Sequence, residues 1–137
     1  MSYTNFGIDS EPKVPKTQVV FFQEADGRAP VREWLRDLRR SDVQAHAKCV
    51  ARVERLAELG HELRRPEADY LRDGIYELRA KKGHVNYRIL YFFHGRHCVV
   101  LAHALTKEDA VPAIDIQRAA TRKLLVEKDP KAHIHED

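Results

Sequence analysis

The sequence predicts an α+β domain in the order β-α-α-β-β-β-α, with a mostly antiparallel four-stranded sheet and its helices packed on one face. Three observations carry this. The apolar segments GIYELRA, HVNYRILYFF and HCVVLAHAL run consecutively from Gly74 to Leu105, parted by Lys81-Lys82-Gly83 and His94-Gly95-Arg96. Short β-rich runs joined by such turns are the pattern of hairpin pairs. Two helical periodicities precede them and one follows Pro112. With 137 residues, 43% of them hydrophobic and 33% charged, the chain has room for one domain with a real core.

The elements follow in order. Residues 1–16 hold prolines, lysines and small polar residues without periodicity, and are expected to form a flexible tail. The domain is expected over 17–127, and 128–137 (KDPKAHIHED) as a second loose end. Gln18 to Gln23 (QVVFFQ) reads as the first strand. Pro30 suits the first turn of a helix, and Val31, Trp34, Leu35 and Leu38 recur at helical spacing after it. Ser41 with Gln44 matches a capping box for a second helix. Its buried stripe is expected to be Val43, Ala47, Val50, Val53 and Ala57, and Gly60 is placed to end it. His61 to Arg72 reads as a polar connection broken by Pro66. After the three strands, a last helix is expected from Ala113 to about Val126, burying Ile116, Ala119, Ala120 and Leu124.

Charge is distributed unevenly along this plan. The whole chain carries +3, but from Arg79 through Lys107 it has Arg79, Lys81, Lys82, Arg88, Arg96 and Lys107 and no Asp or Glu. Alternate side chains of a strand point to opposite faces, so an arginine inside an apolar strand must leave the core face. Arg79 and Arg88 are therefore expected to share the open face of a half-covered sheet, a surface suited to phosphates, with Lys81, Lys82 and Arg96 as further phosphate contacts. No apolar run is long enough to span a bilayer and no signal segment opens the chain, so a cytoplasmic protein without membrane contact is expected. Cys49 and Cys98 read as buried thiols, with a disulfide or metal pair as the alternative. His133 and His135 have a spacing that can hold a stray metal ion, at what reads as a frayed end.

The string GIYELR, then YRILYFF, then a strand ending LAHAL-T-K, then a proline-started helix with IQRAATRK, resembles the RelE/HigB superfamily of type II toxin–antitoxin toxins. It is most similar to the HigB-like, phage-derived branch, over roughly Gln18 to Val126. The resemblance implies a RelE/ParE-like fold, ribosome-dependent cleavage of mRNA, and a co-encoded antitoxin, often of helix-turn-helix type. It also implies that Arg79, Arg88 and Lys107 are the basic residues that hold the scissile phosphate, with Arg88 stabilising transition-state charge. The chain departs from the pattern at Glu77, where RelE-type members carry a base, and at Thr106-Lys107-Glu108-Asp109 in place of a double lysine. It also has no tyrosine among Val111, Pro112, Ala113 and Ile114. Two alternatives share the fold: a ParE-like topoisomerase poison that cuts no nucleic acid, and a degenerate toxin that only binds its antitoxin.

RNA cleavage without a metal uses the adjacent 2′-hydroxyl as nucleophile, and needs a base, an acid and cations for the charge on phosphorus. The sequence shows no dense carboxylate or Cys/His constellation, so neither a metal nor another cofactor is expected. Arg88 and Arg79 supply the planar fork that suits phosphate oxygens. For proton transfer the candidates are His103, Tyr91, Glu77 and Tyr87. His103 also reads as a buried histidine, Tyr87 and Tyr91 as core, and Glu77 as a salt-bridge partner on the sheet.

Overall fold

The structure is a computed structural model and describes residues 16–106 and 110–136. Residues 1–15 of the expected N-terminal tail, together with Lys107, Glu108 and Asp109, lie outside the described residues. The elements are β1 (Gln18–Phe22), α1 (Pro30–Ser41), α2 (Val43–Leu59), a 3-10 turn (Gly60–Glu62), β2 (Ala68–Arg72), β3 (Ile75–Lys82), β4 (Val85–Phe93), β5 (Cys98–Thr106), α3 (Ala113–Lys128), α4 (Pro130–His133) and β6 (Ile134–His135). The strands lie in the order β2-β3-β4-β5-β1-β6. All neighbours are antiparallel except β1 and β5, which pair in parallel from Gln18↔Cys98 to Phe21↔Leu101.

The α+β class and the mostly antiparallel sheet stand, but the strand count and the covering of the sheet differ from expectation. Among the described residues the sheet has six strands, not four. The added strands are β2, inside the stretch read as a polar connection, and the two-residue β6, which pairs with β1 at Phe21↔His135 and Phe22↔Ile134. Both are edges, where polar and charged residues are normal because one side of the strand has no partner. Helices cover both faces rather than one. On one face Val31, Trp34 and Leu35 of α1 and Val53 and Leu56 of α2 pack on Leu78, Ile89, Tyr91, Val99 and Leu101. On the other, Ile116, Ala119, Ala120 and Val126 of α3 pack on Val20, Ile75, Leu90, Phe92 and Val100. The reason is written in β4 and β5, whose centres (ILYF and VVLA) are continuous apolar runs, as suits strands buried on both sides.

The helices also correct two local expectations. Ser41 ends α1, and the N-cap of α2 is Asp42, whose Oδ1 accepts the Ala45 N–H at 3.1 Å. The buried positions of α2 are Ala45, Cys49 and Leu56, while Val43 is 67% exposed. In α3, Leu124 is 64% exposed and Val126 is buried in its stead. Gly60 does end α2, at φ 53°, and a Cβ there would lie 2.4 Å from Thr17 Oγ1. Glycine is thus required for both its backbone and its lack of bulk.

One irregularity positions a candidate side chain. Leu90 pairs with His103 but Tyr91 pairs with Leu101, so Ala102 is an extra residue in β5. Such a bulge resets which face the following residues occupy. Val99 and Leu101 face α1 and α2, and simple alternation would send His103 after them. The bulge turns it towards α3 instead, where it meets Asp115.

Candidate functional site

Two polar clusters stand on the α3 face of the sheet. The first is built by register. Arg79 pairs with Arg88 and Glu77 with Leu90 across β3 and β4, and Asp69 of β2 lies opposite Glu77, so all four polar side chains share a face. Glu77 is only 3% exposed, and a carboxylate so placed must be paired. It is held by both arginines. Arg88 Nη1 donates to Oε1, Arg79 Nη2 donates to Oε2 at 3.3 Å, and Arg79 Nε lies 3.0 Å from Oε1. Arg79 Nη2 also reaches Asp69 Oδ2 at 3.4 Å. The Glu77 carboxylate, ahead of the opposing cost of burial, raises the Arg79 guanidinium above its ordinary value. The Arg79 side chain remains 36% exposed, against 12% for Arg88. Arg88 Nε is buried and finds no hydrogen-bond partner among the described residues. A buried guanidinium donor without an acceptor is uncommon, and a ligand oxygen is one thing that would satisfy it.

The second cluster joins β5 to α3. His103 Nε2 lies 2.7 Å from Asp115 Oδ1, and Arg122 Nη1 lies 3.5 Å from His103 Nδ1 while donating to Ala102 O at 2.7 Å. Arginine can only donate, so Nδ1 accepts and Nε2 carries the proton given to Asp115. Burial lowers the His103 pKa; Arg122 adds to this and Asp115 opposes it without reversing the net shift. A neutral imidazole, wired from Arg122 through His103 to Asp115, results. Arg122 also lies 5.2 Å above the Phe22 ring.

Residues 34–124 match the family described as Phage derived protein Gp49-like (DUF891). The chain belongs to this family. It is a toxin-type family related to the RelE and HigB toxins, and its members are the toxins of toxin–antitoxin systems. An antitoxin partner is implied with it. No curated protein matches the chain. The matched residues span both clusters, from Asp69 to Arg122.

Within this toxin the other expected site residues are dispersed. Lys81 shares the face of Arg79 and is exposed. Lys82 points the other way and pairs with Asp42 at 2.7 Å, so it supports the cap of α2. Arg96 is exposed in the β4–β5 turn, beyond the end of β4 that lies away from the β3–β4 turn and Arg79. Lys107 lies outside the described residues; Thr106 just before it pairs with Tyr87, beside Arg88. Tyr87 and Tyr91 are buried on the α1–α2 face, and burial, the largest influence, raises the Tyr91 phenol far above its ordinary value.

Cys49 and Cys98 are free thiols, the first pushed up to about 11 by burial. His133 is stacked on Phe22 and bonded to Gln23 O at 2.9 Å. Among the described residues no helix is long and apolar enough to cross a membrane, and no group of three His, Cys, Asp or Glu could hold a metal ion. Sequence reasoning missed Asp69, Asp115 and Arg122. Asp115 had one signal, an acid in the first turn of a helix, but nothing local points it at a histidine.

Proposed function

We propose that this toxin is an endoribonuclease that cuts messenger RNA on the ribosome and so stops translation, without a metal or other cofactor. The observation that carries it is the pair Arg79–Arg88, opposed in register on one sheet face around a single buried carboxylate. In this reading the guanidinia hold the scissile phosphate and stabilise the developing charge on phosphorus, with the more exposed Arg79 at the surface and Arg88 beneath it. The 2′-hydroxyl loses its proton to a base and its oxygen attacks phosphorus. The P–O5′ bond breaks, and the 5′ oxygen leaves with a proton from an acid, giving a cyclic phosphate and a 5′-hydroxyl. Glu77, with both oxygens held by the two arginines, positions these cations rather than taking the proton. Lys107, which follows β5 in the sequence, would add charge. His103, with both nitrogens engaged by other side chains, holds α3 in place rather than moving a proton. The antitoxin, in this reading a helix-turn-helix protein, blocks the same face or entry to the ribosome.

The test is message cleavage on purified ribosomes by wild type, Arg88→Ala and Arg88→Lys, with mapping of message 5′ ends after induction in cells. One observation favours a toxin that binds without cutting: Glu77 and Asp69 neutralise much of the arginine charge. That reading is the right one if growth stops with intact messages and failing DNA supercoiling.

A further inference from the structure

A cleft of about 630 Å³ opens between the 3-10 turn after α2 and the outer edge of the sheet, lined among others by His61, Arg64, Arg65, Asp69, Tyr70 and Tyr76. Its aromatic content is ordered. Tyr70 meets Tyr76 edge-on with ring centres 5.0 Å apart, and Tyr76 stacks on Tyr91 at 5.3 Å. Phe93 meets Tyr76 edge-on and carries the His61 ring stacked at 3.6 Å. The inner rings of this chain are buried or half-buried, but its two ends are open: His61 is exposed, and Tyr70 is 53% exposed. Tyr70 is not a loose surface residue. Its hydroxyl accepts the Gly74 N–H at 3.0 Å, so the ring is held at both ends with part of its surface facing water.

Arginines rim the same cleft. Arg65 is 76% exposed in its side chain and lies 2.9 Å from Asp69 Oδ2, while Arg64 Nη1 donates to His61 O at 2.5 Å. Asp69 Oδ2 is also the atom that Arg79 reaches. One carboxylate therefore joins the cleft to the Glu77–Arg79–Arg88 cluster across the edge strand β2. Fixed, half-open ring faces with guanidinium groups in the same cleft are what unstacked nucleobases and their phosphates require.

We propose that this cleft is a second RNA subsite, in which a base of the single-stranded message stacks on Tyr70 while Arg64 and Arg65 hold neighbouring phosphates. The proposal rests on the ribonuclease reading for its choice of RNA, and it extends the path of the strand from Arg88 and Arg79 over β2. It also gives the exposed edge strand an occupant.

The experiment is fluorescence anisotropy of a labelled 2′-O-methyl oligouridylate, which cannot be cleaved, titrated with the full chain at several salt concentrations. Tyr70→Ala should weaken binding by roughly 5- to 150-fold, the range for loss of one stacked base. Tyr70→Phe should keep most of the binding, since the ring remains and only the hydroxyl that accepts the Gly74 N–H is lost. Arg65→Ala should weaken binding and reduce the salt slope by about one. Polyphosphate, which has no bases, should bind wild type and Tyr70→Ala equally, and equal melting temperatures check that the variant is folded. An absence of oligouridylate binding by wild type overturns the subsite, as does wild-type affinity in Tyr70→Ala. Equal losses for oligouridylate and polyphosphate overturn the stacking role. Message cleavage on ribosomes separates the two readings. Cleavage with no Tyr70-dependent binding removes the subsite alone, whereas Tyr70-dependent binding with no cleavage removes the ribonuclease reading and leaves the subsite.

Discussion

The two polar clusters on the α3 face use the same ingredients, a carboxylate and arginine, to opposite ends. Around Glu77 the charges are real and incompletely covered: two guanidinia share one carboxylate, Arg79 is a third exposed, and a donor of Arg88 is left over. Around His103 the central group is neutral, each nitrogen has a neighbour, and α3 lies across it. A closed, satisfied network specifies how elements dock. A buried network with a spare donor has capacity for one more acceptor. The first cluster is accordingly the place to look for chemistry, and the second the place to look for stability.

Substitutions in each cluster test that contrast. The largest effect is expected from Glu77→Gln, which leaves Arg88 as a buried charge without its anion. Breaking a buried pair by removing one partner costs roughly 3–5 kcal/mol, to be read by chemical denaturation. Glu77→Leu with Arg88→Met should recover most of that stability, yet show no message cleavage. Recovery of both would make the cluster purely structural.

Arg88→Ala should lose about 2.7–4 kcal/mol of transition-state stabilisation in cleavage on ribosomes, and Arg88→Lys should regain only part. Cleavage at the wild-type rate by a folded Arg88→Ala protein would take this residue out of the mechanism. The His103 cluster should behave the other way. Asp115→Ala strands the His103 N–H at a buried site and should cost about 1–3 kcal/mol of stability, with cleavage changed less than stability when measured well below the melting temperature.

The same cluster should make stability depend on pH. Burial lowers the His103 pKa, so the unfolded chain takes up the proton more readily than the folded protein. The contribution is fully present above the unfolded value of about 6.5 and declines as pH falls through it towards the lower folded value. Melting temperatures should therefore drop in mildly acidic buffer, and His103→Gln should flatten that part of the profile. An unchanged slope would mean that other groups set it. The smallest effect is expected from Arg96→Ala, at the far end of β4: within roughly 0.5 kcal/mol of stability, and little change in cleavage. A large loss of cleavage there would move the RNA path towards the β4–β5 turn.

The stretch from Gly74 to Leu105 was legible because strand periodicity is local. Parity along IYELR and NYRIL places Arg79 and Arg88 away from the Leu78 and Ile89 face, and the register confirms it. Alternation alone would place His103 on the wrong face, because the bulge at Ala102 is an extra residue that no pattern announces. The cap of α2 was misread by one residue. Ser41 and Asp42 are both good caps, and the choice was made by Lys82, which reaches Asp42 from a strand 40 residues away. Edge strands β2 and β6 were missed for a related reason: a strand with one partner need not look apolar.

By itself, then, the sequence determined the class of fold, the central hairpins and the two arginines on one face, since these are set by side-chain period and local order; the family was legible from the particular residues in GIYELR, YRILYFF and IQRAATRK. The tertiary structure alone decided that Glu77, legible as a salt-bridge partner on the sheet, is buried and held by both arginines, that α3 covers the second face, that His103 is wired to Asp115 and Arg122, and that Tyr70 borders an arginine-rimmed cleft. Each of these is a meeting of residues from different elements, and burial and charge pairing act on what is near in space, which the order of residues along a strand or helix does not encode.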